Sequence, residues 1–440
     1  MSDSYVIRGG KKLQGSVTLS GAKNASIKMM IASLLYDEVV VIKNVPNNQD
    51  NNELLSLMHD LGIKAEIENN IAKINPATIK KAEVSLLYGS KIRSSFLLFG
   101  PLLKKFDTVF IPNPGGCRIG ARPIERIISG FEALGVKMKY HSETGYYEAH
   151  KTKNIEGEYT FEKPTHTGTE ALILASVCGG GKVYLKNCAL EPEIDDLINM
   201  LNKSGAKIQR IGKDMQIQSV PTLHLDEAYE IIEDRNEAVT FAALAYATHG
   251  DITIKNIHKN LITSFLQKIE MAGGGVEYLG ENKIRFFYKG RLKSVDVETS
   301  PHPGYMTDWQ PQWGLLMSTA DGQAVIHETM LESRLNYVQE LQKVGAKIEF
   351  FQPQIIDPER VYQFKYVKGK EYRQAIRITG VERLHNGVLA VHDLRAGAVV
   401  VMAALSAEGV SYVNGISQIE RVYENLIQKL KNLGADIEYV

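Results

Sequence analysis

Three sets of residues in this sequence have types and spacings that packing alone does not require. The first is the run 112–123, Pro-Asn-Pro-Gly-Gly-Cys-Arg-Ile-Gly-Ala-Arg-Pro, with three glycines, three prolines, two arginines and one of the chain's three cysteines. Proline withholds a backbone donor and fixes φ, while glycine opens conformations other residues avoid. The run is therefore predicted to be a surface loop ending at Pro123, on the first turn of a helix. Cys117 lies in it between Arg118 and Arg122, a setting that favours thiolate over thiol. The second set is cationic. Lys23, Arg93 and Arg395 open apolar stretches, and Arg122, Arg334 and Arg421 stand near the starts of more polar ones. A cation gains nothing from packing at the amino end of a buried helix, and the macrodipole disfavours it there. An anionic ligand, phosphate or carboxylate, held by the same N–H groups accounts for it. The third is Asp308, an acid in the slot that holds bases elsewhere. It is either a helix N-cap or a carboxylate that binds or deprotonates a substrate hydroxyl.

These slots recur because the chain repeats one unit six times. Each copy has an amphipathic helix ending in a glycine, at Gly62, Gly135, Gly205, Gly273, Gly345 and Gly434, where a left-handed cap belongs. Each also has a second, more apolar helix, predicted near 24–35, 94–104, 169–178, 236–247, 309–320 and 395–407. A β-rich stretch follows every one: 39–42, 108–111, 182–185, 251–254, 324–327 and 410–413. The apolar helices read as buried and the others, such as 124–134 and 419–433, as exposed. Regular alternation of this kind means an α/β or α+β layered fold, here two domains of three units joined near 233–235. The strand-like stretch 5–19 needs a sheet to join. Residues 351–378 fit no unit and read as an insertion.

Lys+Arg and Asp+Glu both total 51, so no global field draws the chain to nucleic acid or to an anionic membrane. The start, Met-Ser-Asp-Ser-Tyr, has no apolar leader, and the longest apolar run, 396–407, is too short to span a bilayer. Three cysteines in a long chain suit a reducing compartment, so a cytoplasmic enzyme is expected, with Cys178 and Cys188 as inert core thiols. Gly115-Gly116-Cys117 lacks the Gly-Lys-Ser/Thr of a P-loop, no GxGxxG follows a first strand, and the histidines show no zinc-ligand spacing. No metal and no cofactor is expected.

In this order the motifs closely resemble the enolpyruvyl transferase family, and within it the enzymes that act on UDP-N-acetylglucosamine rather than on shikimate phosphate. The marks are Ser20-Gly21-Ala22-Lys23-Asn24-Ala25, Ile92-Arg93-Ser94, the cysteine loop, Pro301-His302-Pro303, Thr307-Asp308, Glu332-Ser333-Arg334, Asp393-Leu394-Arg395-Ala396 and Arg421-Val422-Tyr423-Glu424. The resemblance spans essentially the whole chain. It implies two inside-out, barrel-like α/β domains, about 23–233 and 1–22 with 234–440, with ligands in the cleft between them. It implies transfer of enolpyruvyl from phosphoenolpyruvate to the 3′-hydroxyl of UDP-N-acetylglucosamine, in the synthesis of cell-wall peptidoglycan precursors, and a monomeric enzyme. By the same resemblance Lys23, Asn24, Arg122, Arg334, Arg395 and Arg421 bind phosphoenolpyruvate, Cys117 is the general acid and fosfomycin target, and Asp308 is the base. Asn24, Arg93, Arg122, Pro123, Ile124, Glu125, Arg126, Lys163, Thr165, His166, Asp308 and Met330 hold the sugar nucleotide. Glu125 stands where the family usually has Asp, the run 165–170 replaces a frequent Ser-Val-Gly-Ala-Thr, and Glu233 replaces a proline. Those departures leave open a sibling transferase with another hydroxyl acceptor, such as a nucleotide.

Overall fold

The computed structural model describes residues 3–115, 124–391 and 397–440. The chain folds as two compact units, one formed by residues 21–115 and 124–232, the other by residues 3–20 and 233–440. Each has its own apolar core.

Both units are built from the inside outward. Helices Lys23–Ala32, His166–Val177, Arg235–Ala247, Gln310–Ser318 and Gly397–Ser406 are buried over nearly all their length. Gly397–Ser406 reads Gly-Ala-Val-Val-Val-Met-Ala-Ala-Leu-Ser, with no polar face to show to water, so it must be enclosed on every side. The remaining member departs from expectation. Instead of one α-helix over 94–104, residues Arg93–Leu98 form a 3-10 helix that runs into an α-helix at Phe99–Lys105. Pro101 has no N–H to return to the carbonyl of Leu97, so the α-helical ladder is broken there.

The sheets lie outside the helices and share one plan. In the third repeat, Ile155–Thr160 pairs in parallel with Gly180–Lys186, which pairs antiparallel with Asp214–Gln218, itself the hairpin partner of Lys207–Ile211. Four other sheets have the same order, and the second repeat keeps three strands plus a single parallel bridge, Glu83 to Phe110, in the place of the fourth. The sheets are hydrogen-bonded separately, so they wall the helices without closing a barrel among the described residues. The predicted stretch 5–19 is two strands serving two sheets. Ser4–Gly9 inserts between Gly409–Asn414 and Asp436–Tyr439, and Gln14–Thr18 pairs with Asp251–Lys255.

All six cap glycines have φ between 84° and 96°. At Gly205, Gly273 and Gly434 nothing lies within 4 Å of an added Cβ, so the left-handed backbone alone selects glycine there. Two expectations are corrected. The exposed helix over 419–433 is two pieces, Ser417–Glu420 and Leu426–Asn432, because Asn425 takes φ 52°. The insertion is shorter than 351–378, since Ala375–Thr379 is a central strand pairing with both Gln323–His327 and Lys347–Phe351. Its alternation, Ile376 and Ile378 inward with Arg377 and Thr379 outward, is the period of a half-buried strand.

Candidate active site

In the unit of residues 21–232, Lys23 is the first residue of its helix, and Ala22 at the N-cap supplies no side-chain cap. The unfavourable end of the macrodipole is offset by an acid: Lys23 Nζ lies 2.7 Å from Asp50 Oδ2, with the two side chains 14% and 7% exposed. Asp50 belongs to the first turn of helix Gln49–Asp60, where the Asn48 side chain accepts from Asn51 N–H. Asn51 Oδ1 in turn accepts from Ser26 Oγ at 3.0 Å, tying this helix to that of Lys23. Sequence reasoning missed Asp50. Its signal was present, because Asp50 and Asn51 fall on the same buried stripe as Leu54, Leu57 and Met58.

Asn24 is the second residue of the Lys23 helix and is half-buried, and Arg93 opens the 3-10 helix. Ile124 is the N-cap of helix Glu125–Ala133, so Glu125 sits in the first turn, where the macrodipole favours an acid. The Arg126 carbonyl accepts from Tyr159 Oη at 3.1 Å. Lys163 is half-buried ahead of the next helix. Thr165 caps that helix, accepting from Gly168 N–H at 3.3 Å.

His166 opens the helix. Its Nε2 lies 3.0 Å from Glu170 Oε1, and Lys28 Nζ approaches the same oxygen at 3.4 Å. Glu170 is fully buried, so Lys28, joined by His166 when its imidazole is protonated, compensates a carboxylate without access to water. Burial pushes the imidazole pKa down, Glu170 pushes it up, Lys28 opposes, and the net lies above the ordinary histidine value. Lys28 and Glu170 were also missed, although each is a charge among the buried residues of a largely apolar helix.

In the unit of residues 233–440 the structure brings Asp308 and Arg334 together. Arg334 Nη2 donates to Asp308 Oδ1 at 2.5 Å, and here the cation is the buried member, 1% exposed against 21% for the acid. Asp308 is not a cap: the N-cap of Gln310–Ser318 is Trp309, with no side-chain cap bond. Arg334 precedes helix Val338–Lys343, and its carbonyl accepts from Gln310 Nε2 at 3.5 Å. Beside them lies Glu328, wholly buried and absent from the sequence reading. It accepts from Thr307 Oγ1 at 2.7 Å and from the N–H groups of Met330 and Leu331 at 2.7 and 3.0 Å. Burial pushes its pKa up, while those hydrogen bonds and nearby Arg334 hold it down, and the net is a rise. Met330 is thus fixed through its own N–H. Arg421 does not begin a helix; it is the C-cap of Ser417–Glu420.

Cys117, Arg122, Pro123 and Arg395 lie outside the described residues. Burial raises the thiol pKa of Cys178 and pushes that of Cys188 up to about 12, which suits inert thiols. Among the described residues no group of three or more His, Cys, Asp or Glu is placed to hold a metal ion.

A family model described as EPSP synthase (3-phosphoshikimate 1-carboxyvinyltransferase) matches residues 7–430. The chain is 38% identical over 437 residues to UDP-N-acetylglucosamine 1-carboxyvinyltransferase 3 of Caldanaerobacter subterraneus subsp. tengcongensis, covering 99% of each. It is 37% identical over 441 residues to the UDP-N-acetylglucosamine 1-carboxyvinyltransferase of Trichlorobacter lovleyi, covering 100% of this chain and 99% of that one. Among solved structures it resembles the enolpyruvyl transferase NikO from Streptomyces tendae, with TM-score 0.85 at 20% identity over 100% of this chain and 99% of that one. EPSP synthase from Acinetobacter baumannii aligns with TM-score 0.71 at 15% identity, over 99% of this chain and 100% of that one. At such identities the two structures share the fold.

Proposed function

We infer that this chain, which belongs to the EPSP synthase family and within it to the UDP-N-acetylglucosamine 1-carboxyvinyltransferases, moves the enolpyruvyl group of phosphoenolpyruvate onto the 3′-hydroxyl of UDP-N-acetylglucosamine and releases phosphate. The product is a peptidoglycan precursor. The hydroxyl oxygen adds to C2 of phosphoenolpyruvate while C3 takes a proton, giving a tetrahedral ketal. The C–O bond to phosphate then breaks and C3 gives a proton up.

Lys23, Arg122 and Arg421 hold the phosphate, and Arg334 and Arg395 the carboxylate, with Arg93 assisting; the arginine fork suits such oxyanions. Cys117 delivers the proton to C3. Asp308, oriented by Arg334, takes the proton of the attacking hydroxyl. Asn24 and the backbone at Met330 contact the sugar. Pro123, Ile124, Glu125 and Arg126 hold the uridine, and Lys163, Thr165 and His166 face the diphosphate. The enzyme works as a monomer in the cytoplasm, without metal or organic cofactor and without a nucleic-acid or membrane partner. No described helix is long and apolar enough to cross a membrane.

The observation that carries this reading is the full-length match, at 38% identity, to a relative named for this reaction. The test is phosphate release from phosphoenolpyruvate with UDP-N-acetylglucosamine as acceptor. Turnover with a different hydroxyl acceptor and none with this sugar nucleotide would overturn it.

A further inference from the structure

The hairpins of this fold turn tightly, as between Lys64–Glu68 and Ile71–Asn75 or between Lys207–Ile211 and Asp214–Gln218. The hairpin of Lys347–Phe351 and Ala375–Thr379 instead carries residues 352–374 between its strands. This segment has a small core of its own, with Tyr362, Phe364 and Tyr372 buried and Ile355 and Tyr366 packed on them. Tyr362 stacks on Phe364 at 4.8 Å and on Tyr366 at 5.8 Å, and Tyr372 Oη accepts from Val367 N–H at 2.9 Å.

Nearly every residue from 327 to 332 is held by this segment. The Tyr362 ring meets that of His327 edge-on at 5.7 Å. Glu328 N–H donates to the Gln374 carbonyl at 2.7 Å, and Gln363 N–H donates to the Thr329 carbonyl at 2.8 Å. Gln374, 1% exposed, donates its side-chain amide to the carbonyls of Glu328 and Leu331 at 2.9 and 3.0 Å. Lys370 pairs with Glu332. The remaining residue, Met330, is held by the Glu328 carboxylate. Arg334, two positions beyond Glu332, is secured independently by Asp308 and Gln310.

We propose that residues 352–374 are a positioning element for the acceptor side of the site, with Gln374 as the residue that sets the height of the backbone at Met330. The inference rests on the reading that this backbone contacts the sugar of UDP-N-acetylglucosamine. The element touches no substrate. It holds the segment that does, and a misplacement on the scale of an ångström there weakens acceptor binding without touching the phosphoenolpyruvate pocket.

Steady-state kinetics with both substrates varied separate these effects. Gln374→Leu keeps the side-chain volume but withdraws both hydrogen bonds. It raises KM for UDP-N-acetylglucosamine about tenfold and leaves KM for phosphoenolpyruvate within about twofold. Partial unfolding would lower the concentration of active enzyme, and with it apparent kcat, and leave both KM values where they were. Lys370→Ala, at a side chain 53% exposed, cannot unfold the unit and raises the acceptor KM about threefold. Two unchanged KM values in a folded variant, or equal rises in both, overturn the inference. Absence of turnover by the parent enzyme would instead remove the functional reading, and the inference with it.

Discussion

Two of the short ion pairs among the predicted site residues, one in each unit, are built in opposite senses. In Lys23–Asp50 the acid is the more buried partner and the cation the more exposed. In Asp308–Arg334 the cation is buried and the acid stands toward solvent. The buried member of each pair orients the other, so one unit presents a positive group and the other a negative one. In the reading proposed above, Lys23 holds the phosphate of phosphoenolpyruvate and Asp308 takes the hydroxyl proton. Exposure thus separates two pairs that would look alike by charge alone.

The sharpest way to break this contrast is Asp308→Asn, which should lower kcat by about 10²–10⁴-fold while calorimetry still shows UDP-N-acetylglucosamine binding. Near-parent turnover would move the base elsewhere. Lys23→Ala should lower kcat/KM by about 10²-fold, with KM for phosphoenolpyruvate carrying much of it. Asp50→Asn should cost about tenfold in kcat/KM and about 1–3 kcal/mol in chemical denaturation, since it removes a supporting rather than a presented group. A loss as large as that of Asp308→Asn would erase the distinction. The smallest effect is expected at His166, whose imidazole should titrate by NMR above the ordinary value of about 6.5 and fall back in Glu170→Gln. With the folded pKa above the unfolded one, the stability from this contact is fully present below about pH 6.5. It is lost as pH rises through the raised value. A rising stability over that window in the parent, absent in the variant, would reverse the sign.

The repeat architecture was legible because its signals are local. A glycine ending an amphipathic stretch, an all-apolar helix and an alternating strand can each be read within a dozen residues, as at 192–205, where Ile194, Leu197, Ile198 and Leu201 bury one face ahead of Gly205. What stayed hidden depends on partners distant in sequence. Strand Ala375–Thr379 was absorbed into the insertion because Phe351, its nearest hairpin neighbour, lies beyond residues 352–374. At the site, Lys23 and Asp308 stood out as charges in odd places, but nothing local said that Asp50 and Arg334 would meet them. Glu328 was invisible for a different reason: its nearby partners are the backbone N–H groups of Met330 and Leu331, which carry no side-chain signature. The broken helix at Asn425 lay within reach of sequence reasoning, because asparagine is among the residues that accept a left-handed backbone.

Strand Ser4–Gly9 leaves the ribosome long before its partners, for Ser4 bonds Asn414, 410 positions further on. The unit of residues 21–232 can finish folding in the meantime, while the other waits for strands Gly409–Asn414 and Asp436–Tyr439. Throughout that wait an apolar edge carrying Tyr5 and Ile7 stays open to wrong pairing. Arg8, which finally meets Asp436 and Glu438, puts a charge on that edge, and a charge is what disfavours wrong pairing of an exposed strand.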